Sequence, residues 1–478
     1  MSATVFPAQK PSTAQPSSQT CGAEAVRPAA MLTLVAGAML WLLVASIFGL
    51  MDSLKFHAPS LFAGESYLTY GRIHAAQSAA FLYGFGVPAA LGLGLWYLCR
   101  LGRTTLAGPL VVVIGAVGWN CTVALGVAAI LCGRGTGFDS FEMPIWCARI
   151  LLVAYLLMGV CALLTFHQRE PGPLYPTQWL VVGSLFWFPW VFSTGALVLL
   201  GVPQRGVLQA LTAWWCAQNM DAVFLGFAGL ASAFYFIPKL LGRPLHSHYL
   251  AALAFWTIAL FGGCGGIPIG APLPSWIVSL GLVGTVLTVL PILCVAINFR
   301  QTAYQHLKAL DGDPTLRFIF VGLLFWMIAG TQQIVAALPS VSAITDFTWF
   351  GAAQKELFRY GFFALTVYGA LYYIVPGLLG LENSAWCPIL LKIHFYFAFL
   401  GVLLAYVALL VAGLEQGILL ADTANTFPEV MRRTMFPLRM STLGDVLVMG
   451  GAIVFLLNFA YILNQARRQC CPPQKGGA

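Results

Sequence analysis

The chain has 478 residues, of which 59% are hydrophobic and only 8% charged, with a formal net charge of +8. A soluble globular domain carries roughly 25% charged residues, so water is not the solvent for most of this surface. Lipid cannot hydrogen-bond a backbone, which leaves helices or closed barrels, and the apolar runs here lack the alternation of a barrel strand.

Residues 1–29 are rich in Ser, Pro, Ala, Gln and Thr without periodicity, which predicts a disordered tail. No apolar core stands ahead of a cleavage site, so no signal peptide is expected, and the first span serves as its own insertion signal. Windows of about 20 apolar residues predict membrane helices at 30–51, 73–98, 106–131, 144–166, 177–201, 208–237, 249–270, 275–297, 316–338, 357–380, 390–414 and 442–464. The expected fold class is therefore all-α, a polytopic bundle of about twelve transmembrane helices within 30–466, followed by a C-terminal tail at 467–478. Gly/Pro clusters at Pro171-Gly172-Pro173, Gly262 to Pro274 and Pro376-Gly377 punctuate the chain without marking a separate domain. The longest connection, 415–441, is polar and is expected on the outer surface.

Alternating the loops puts Lys10, Arg27, Arg100, Arg103, Lys239, Arg243, Arg467 and Arg468 among the basic residues on the side of both termini. By the positive-inside rule that side is cytoplasmic. The opposite loops hold fewer cations, among them Lys55, Arg134, Arg205, Arg432, Arg433 and Arg439. Basic loops at a membrane face explain the positive charge, and nucleic acid is excluded as a partner. Twelve cysteines are scattered without a CxxC pair, which predicts neither a disulfide framework nor a zinc site. Cys470 and Cys471 are adjacent and are read as reduced thiols of a cytoplasmic tail.

Trp214-Trp215-Cys216-Ala217-Gln218-Asn219, followed by Phe234-Tyr235-Phe236-Ile237-Pro238-Lys239 and Arg243-Pro244, resembles the sixth helix of the heme-copper oxidase catalytic subunit, above all cbb3-type subunit I. Asp313-Pro314-Thr315-Leu316-Arg317-Phe318, Gly369-Ala370-Leu371-Tyr372-Tyr373-Ile374-Val375-Pro376, His394-Phe395-Tyr396 and Val411-Ala412-Gly413-Leu414-Glu415-Gln416-Gly417 look like the same family in the same order. So do Tyr70-Gly71-Arg72 and Phe141-Glu142-Met143-Pro144-Ile145 upstream. The resemblance implies a multi-pass protein of the bacterial inner membrane holding a low-spin heme, a high-spin heme and a copper, where oxygen is reduced and protons are pumped. Imidazoles are the ligands such centres need.

Those imidazoles are missing. The low-spin heme position after Gly71-Arg72 is occupied by Gln77, and the His-x-His pair of the family falls on Gln354 and Glu356. The copper position after Trp214-Trp215 is Gln218, and no histidine stands between His248 and His306, where the family's paired copper ligands belong. The redox tyrosine has no counterpart near Gly262. Of the seven histidines, His74, one turn before Gln77, is the single candidate for a shifted heme ligand, and His394 matches a family position that is not a ligand.

The expected site is therefore a buried polar network of Gln77, Gln218, Asp221, Gln354, Glu356 and Arg359 in the space that hemes fill in the family. Ionisable groups at membrane depth are expensive and normally partnered. Glu356 and Arg359, three apart on one helix, are placed for a local ion pair, and Gln218 and Asp221 for a similar contact. Arg432 and Arg433 form a solvated basic patch suited to docking a partner. No heme or copper is expected, and heme b and copper only if the family chemistry is retained. The reading adopted is a cofactor-free relative of oxidase subunit I, a structural or assembly component among respiratory subunits or cytochromes in the bilayer. Two alternatives stay open: a terminal oxidase with unrecognised ligands, and a proton or small-solute transporter using the vacated cavity.

Overall fold

The structure, a computed structural model, describes residues 21–202, 204–304, 312–382 and 385–470. Of the expected tails at 1–29 and 467–478, residues 1–20 and 471–478, with Lys10 and Cys471, lie outside these residues, as do His306 and Lys308, whereas 21–29 and 467–470 are helical. Eleven of the described helices are long and apolar enough to cross a membrane, and a shorter apolar helix stands at the place of the remaining expected span. In chain order they are α1 (Cys21–Leu54), α2 (Tyr70–Gly102), α3 (Pro109–Arg134), α4 (Ile145–His167), α5 (Pro176–Gly201), α6 (Val207–Leu240), α7 (His248–Gly262, the shorter one), α8 (Ser275–Thr302), α9 (Pro314–Ala336), α10 (Trp349–Leu378), α11 (Pro388–Ala421) and α12 (Phe427–Cys470).

Two boundaries differ from the sequence expectation. The first helix reaches back to Cys21, because Ala23, Glu24 and Ala25 are good helix formers ahead of Pro28. The 415–441 connection is helical almost throughout: α11 runs on to Ala421 and α12 begins at Phe427. Glu429 pairs with Arg432 and Arg433 at i+3 and i+4, which stabilises the first turns of α12 despite their polarity.

Burial sorts the helices. The apolar windows of α2, α6 and α10 are 94%, 89% and 83% buried, whereas those of the other long helices are 33–44% buried. Three helices thus form the interior and the rest turn a face to lipid, as the exposed Leu110, Ile114, Trp190, Trp256 and Leu293 show. Each interior helix contains a π-helical stretch: Ala80–Gly86 in α2, Asn219–Leu225 in α6 and Leu357–Ala364 in α10. Each begins one to three residues after Gln77, Gln218 or Glu356. Such stretches gather at functional sites because the extra residue re-aims the side chains that follow.

Close helix contacts need small residues. Gly413 of α11 lies against the backbone of Trp349 and Phe350 at the start of α10, leaving no room for a Cβ. α7 stops at Gly262, and the irregular backbone that follows carries Gly266 to the wall of a polar cavity. Non-helical backbone at membrane depth is tolerated where it lines such a cavity.

Candidate functional site

Polar groups gather in the half of the bundle opposite the chain ends, called the distal half below. A cavity of ≈ 310 Å³ lies between α6, α9, α10, the 135–144 loop and the turn after α7. Gln218, Asp221, Gln333, Gln354, Lys355 and Asp139 supply its polar wall, and Trp214, Phe138 and Phe358 its apolar one. The Gln218 amide donates to the Gly262 carbonyl at 2.9 Å, and its oxygen accepts from the Gln333 amide at 2.8 Å. Asn219, the next residue, donates to the Trp215 and Gly263 carbonyls and accepts from the Trp187 indole. These bonds tie the broken end of α7 to α6.

Asp221 and Arg359 form a fork across the bundle. The arginine Nε donates to the two carboxylate oxygens at 3.0 and 3.1 Å, and a terminal guanidinium nitrogen lies 3.0 Å from Oδ2. Arg359 thus pairs with α6 and not with Glu356, correcting the local ion pair expected within α10. The π-helical stretch begins between Glu356 and Arg359 and changes their angular relation, so the i,i+3 spacing of a regular helix does not apply. Gln218 likewise turns to Gln333 and not to Asp221.

At the cavity mouth Lys355 donates to Asp139 of the 135–144 loop. Burial works against the Asp139 charge, but Lys355 and Arg359 outweigh it and hold the carboxyl below its usual range. Glu142, on the same loop, is 4% exposed and accepts from the Ser140 amide at 3.0 Å. Burial, reinforced by Asp139, pushes its carboxyl up to about 7.

Gln77 and Glu356 belong to a second pocket. They face each other across a void of ≈ 10 Å³ that Ser46, Gly49, Tyr360, Asp445 and Val448 complete. Around it α2 and α10 meet ring on ring: Phe81 and Tyr360 have centroids 4.6 Å apart, Phe85 and Phe363 5.5 Å. The single network expected from sequence is therefore two sites. Gln218, Asp221 and Gln354 line the larger, with Arg359 bound to its wall, and Gln77 and Glu356 line the smaller.

The helix order, the interior position of α2, α6 and α10 and their motifs agree with a catalogued architecture. Residues 29–447 match the family of cytochrome c and quinol oxidase polypeptide I. The chain belongs to this family. It is similar to the cbb3-type cytochrome c oxidase subunit CcoN1 of Stutzerimonas stutzeri, at 26% identity over 410 residues, 82% of this chain and 84% of that protein. It is also similar to a cytochrome c oxidase subunit 1 homolog of Azorhizobium caulinodans, at 24% identity over 447 residues, 90% of this chain and 81% of that one. Among solved structures, a heme-copper terminal oxidase dimer seen by cryo-EM has a chain of the same fold, with TM-score 0.73 at 15% identity, covering 92% of this chain and 84% of that one. The chain is thus a multi-pass, heme-copper oxidase subunit I-like membrane protein of a family that normally binds heme and copper and acts within respiratory complexes.

The other residues singled out in the sequence fall as follows. His74 hydrogen-bonds Asp52 through Nδ1 at 2.9 Å with its side chain 56% exposed. His394 is fully buried, bonded through Nδ1 to the Tyr372 hydroxyl at 2.8 Å and ringed by Phe318, Tyr368 and Phe455. Arg432 and Arg433 are exposed, and Glu429 partly neutralises them. Gln333, Lys355, Asp139, Tyr360 and Asp445 join the sites without having been expected there. Asp445 lies inside the predicted 442–464 span, and an ionisable residue at that depth is itself the signal that finds it.

Proposed function

We propose that this chain is a heme- and copper-free member of its family that serves as a structural or assembly component of a respiratory complex in the bacterial inner membrane, with both termini cytoplasmic. The observation that carries the reading is the pocket shared by Gln77 and Glu356. The resemblance places the low-spin heme ligand at Gln77 and one of the family's His-x-His ligands at Glu356, yet the void that these two residues line is ≈ 10 Å³. That is room for about one water, not for a macrocycle. The Phe81–Tyr360 and Phe85–Phe363 contacts close the gap between α2 and α10 one and two turns further along both helices.

The donor set points the same way. Heme iron takes imidazole, thiolate, thioether or phenolate ligands, and the assigned positions offer amides at Gln77, Gln218 and Gln354 and a carboxyl at Glu356. The Gln218 amide is already bonded on both ends, to Gly262 and Gln333. The residues present do not fit the family's cofactors, and no catalytic step is derived through them. What remains is architecture. The Asp221–Arg359 fork braces α6 against α10, the Phe81–Tyr360 and Phe85–Phe363 contacts brace α2 against α10, and lipid-facing surfaces are left for neighbouring subunits.

The test is co-purification. Affinity isolation of the full chain from its own membrane under mild detergent, followed by mass spectrometry, should recover respiratory subunits or cytochromes in fixed ratio. Recovery of the chain alone at near-complete yield would remove the assembly role. A second reading, binding of a small solute, rests on the ≈ 310 Å³ cavity, whose acid and base groups pair as Asp221 with Arg359 and Asp139 with Lys355. It favours a neutral polar solute, and uptake by reconstituted vesicles that is unchanged in a Gln218→Leu variant would count against it.

A further inference from the structure

The ≈ 10 Å³ pocket has an unbalanced charge. Glu356 of α10 and Asp445 of α12 both line it, and no cationic side chain does. The nearby cations are occupied elsewhere: Arg359 with Asp221, Lys355 with Asp139, and Lys55 Nζ with the Leu61 carbonyl at 2.9 Å. Two carboxyl groups in a membrane interior without a counter-ion are strongly disfavoured as a pair of bare anions. Something positive must share the pocket.

A second observation is independent of the acids. The Tyr360 hydroxyl lines the same pocket beside the Gln77 amide, its residue is 6% exposed, and it makes no hydrogen bond of full geometry. A buried polar atom without a partner marks a missing ligand or water. The lining is rich in oxygen, with two carboxyls, the Tyr360 phenol and the Ser46 hydroxyl beside the Gln77 amide. Ser46 donates its proton to the Leu42 carbonyl at 2.8 Å, which leaves its oxygen lone pairs free. Oxygen-rich sites select hard cations, and the void admits one particle of the size of water.

We propose that Glu356, Asp445, Gln77, Tyr360 and Ser46 form a binding site for one small hard monovalent cation, a sodium ion or a proton shared between the two carboxyls, open toward the distal face. The opening is polar. Asp445 adjoins Asp52 and Ser53 of α1, and Asp52 accepts from His74, whose side chain is 56% exposed. The other Asp52 oxygen is buried without a partner and is free to receive the ion in transit. The charged and titratable groups facing the pair are Asp52 with Lys55 beyond it from the α1 side, His74 from α2, and Tyr360 and Arg359 from α10. Binding involves no redox change. The cation enters as one unit and leaves by the same route. The site rests on Glu356 carrying no heme, as proposed above.

The experiment uses the full chain in detergent, with its heme content read on the same sample. Thermal stability is measured in sodium chloride against choline chloride, whose cation is too large for the void. Infrared spectra in H2O and D2O record protonated carboxyl groups. A melting temperature that climbs and saturates with sodium, and becomes flat in Glu356→Gln and Asp445→Asn, supports the site with sodium as occupant. A protonated-carboxyl band present without sodium dependence, and lost in either variant, supports it with a proton as occupant. Tyr360→Phe, which keeps the ring and its packing, removes one oxygen ligand and should weaken the sodium response about tenfold, comparable to the loss of one polar contact to a charged group. Glu170→Gln, in an exposed pair far from the pocket, should change neither readout. Heme-free protein with no sodium response and no such band overturns the site alone. Stoichiometric heme would overturn the heme-free reading and the site with it.

Discussion

Asp221→Asn removes one charge from the centre of the bundle without changing volume. The aspartate receives Arg359 Nε on its two oxygens at 3.0 and 3.1 Å and a terminal guanidinium nitrogen at 3.0 Å. With asparagine in place the guanidinium stays charged, because arginine does not deprotonate. No free acid replaces it: Phe81 stands 5.9 Å from its central carbon, and the other acids of α10 and the 135–144 loop are Glu356, in its own pocket, Asp139, held by Lys355, and Glu142, bonded to the Ser140 amide. Stranding a partner of a buried ion pair costs about 3–5 kcal/mol. The side chains here are 14% and 10% exposed toward the cavity. Water there returns part of the cost, so about 2–4 kcal/mol is expected. Arg359→Met should cost less, since the aspartate left behind lines the cavity and can be hydrated there. The double variant should be more stable than Asp221→Asn alone. Reversible unfolding in mixed micelles yields the four corners of the double-mutant cycle. A coupling between Asp221 and Arg359 below about 0.5 kcal/mol, or a larger one between Glu356 and Arg359, would refute the cross-helix pairing.

Three further expectations follow from single contacts. Gly413→Ala places a methyl against the backbone of Trp349 and Phe350, which cannot rotate away, so a loss of about 2–3 kcal/mol by overpacking is expected in the same unfolding assay. Glu142 holds its proton up to about 7 when folded against an ordinary 4.5, so the folded state binds more protons in that interval and stability falls as pH rises through it. Glu142→Gln removes this penalty, so its unfolding free energy should match that of the parent near pH 5 and exceed it progressively up to pH 7, by up to about 3 kcal/mol; a gap independent of pH would contradict the cause. Restoring imidazoles with Gln77→His and Glu356→His together should not confer heme binding, because Phe81 packs on Tyr360 and Phe85 on Phe363 where the ring would lie. A heme absorption spectrum on the purified double variant checks this.

Long uniform apolar runs made the helix order readable, since hydropathy needs no knowledge of neighbours. The interior polar residues were readable from the resemblance, whose ligand positions fall on Gln77, Gln218, Gln354 and Glu356, and from the cost of such groups at membrane depth. Their partners were not. Arg359 lies one turn from Glu356 in sequence, and only the π-helical stretch starting at Leu357, with the approach of α6, hands it to Asp221. Gln333 and Lys355 enter through α9 and the 135–144 loop, contacts that periodicity along one helix cannot report. The 415–441 segment misled because its charges suggest a loop, whereas Glu429, Arg432 and Arg433 satisfy one another on a helix that extends α12. The distal pocket needed three separate helices, α1, α2 and α12, to be brought to α10 before Asp445 met Glu356.

The most direct measurement is a pyridine-hemochrome spectrum with iron and copper analysis on the full chain, purified after expression with ample heme and copper. Protein that is folded, monodisperse and free of heme and copper is the expected result. Stoichiometric heme with bound copper would contradict it and restore the oxidase chemistry of the family to this chain.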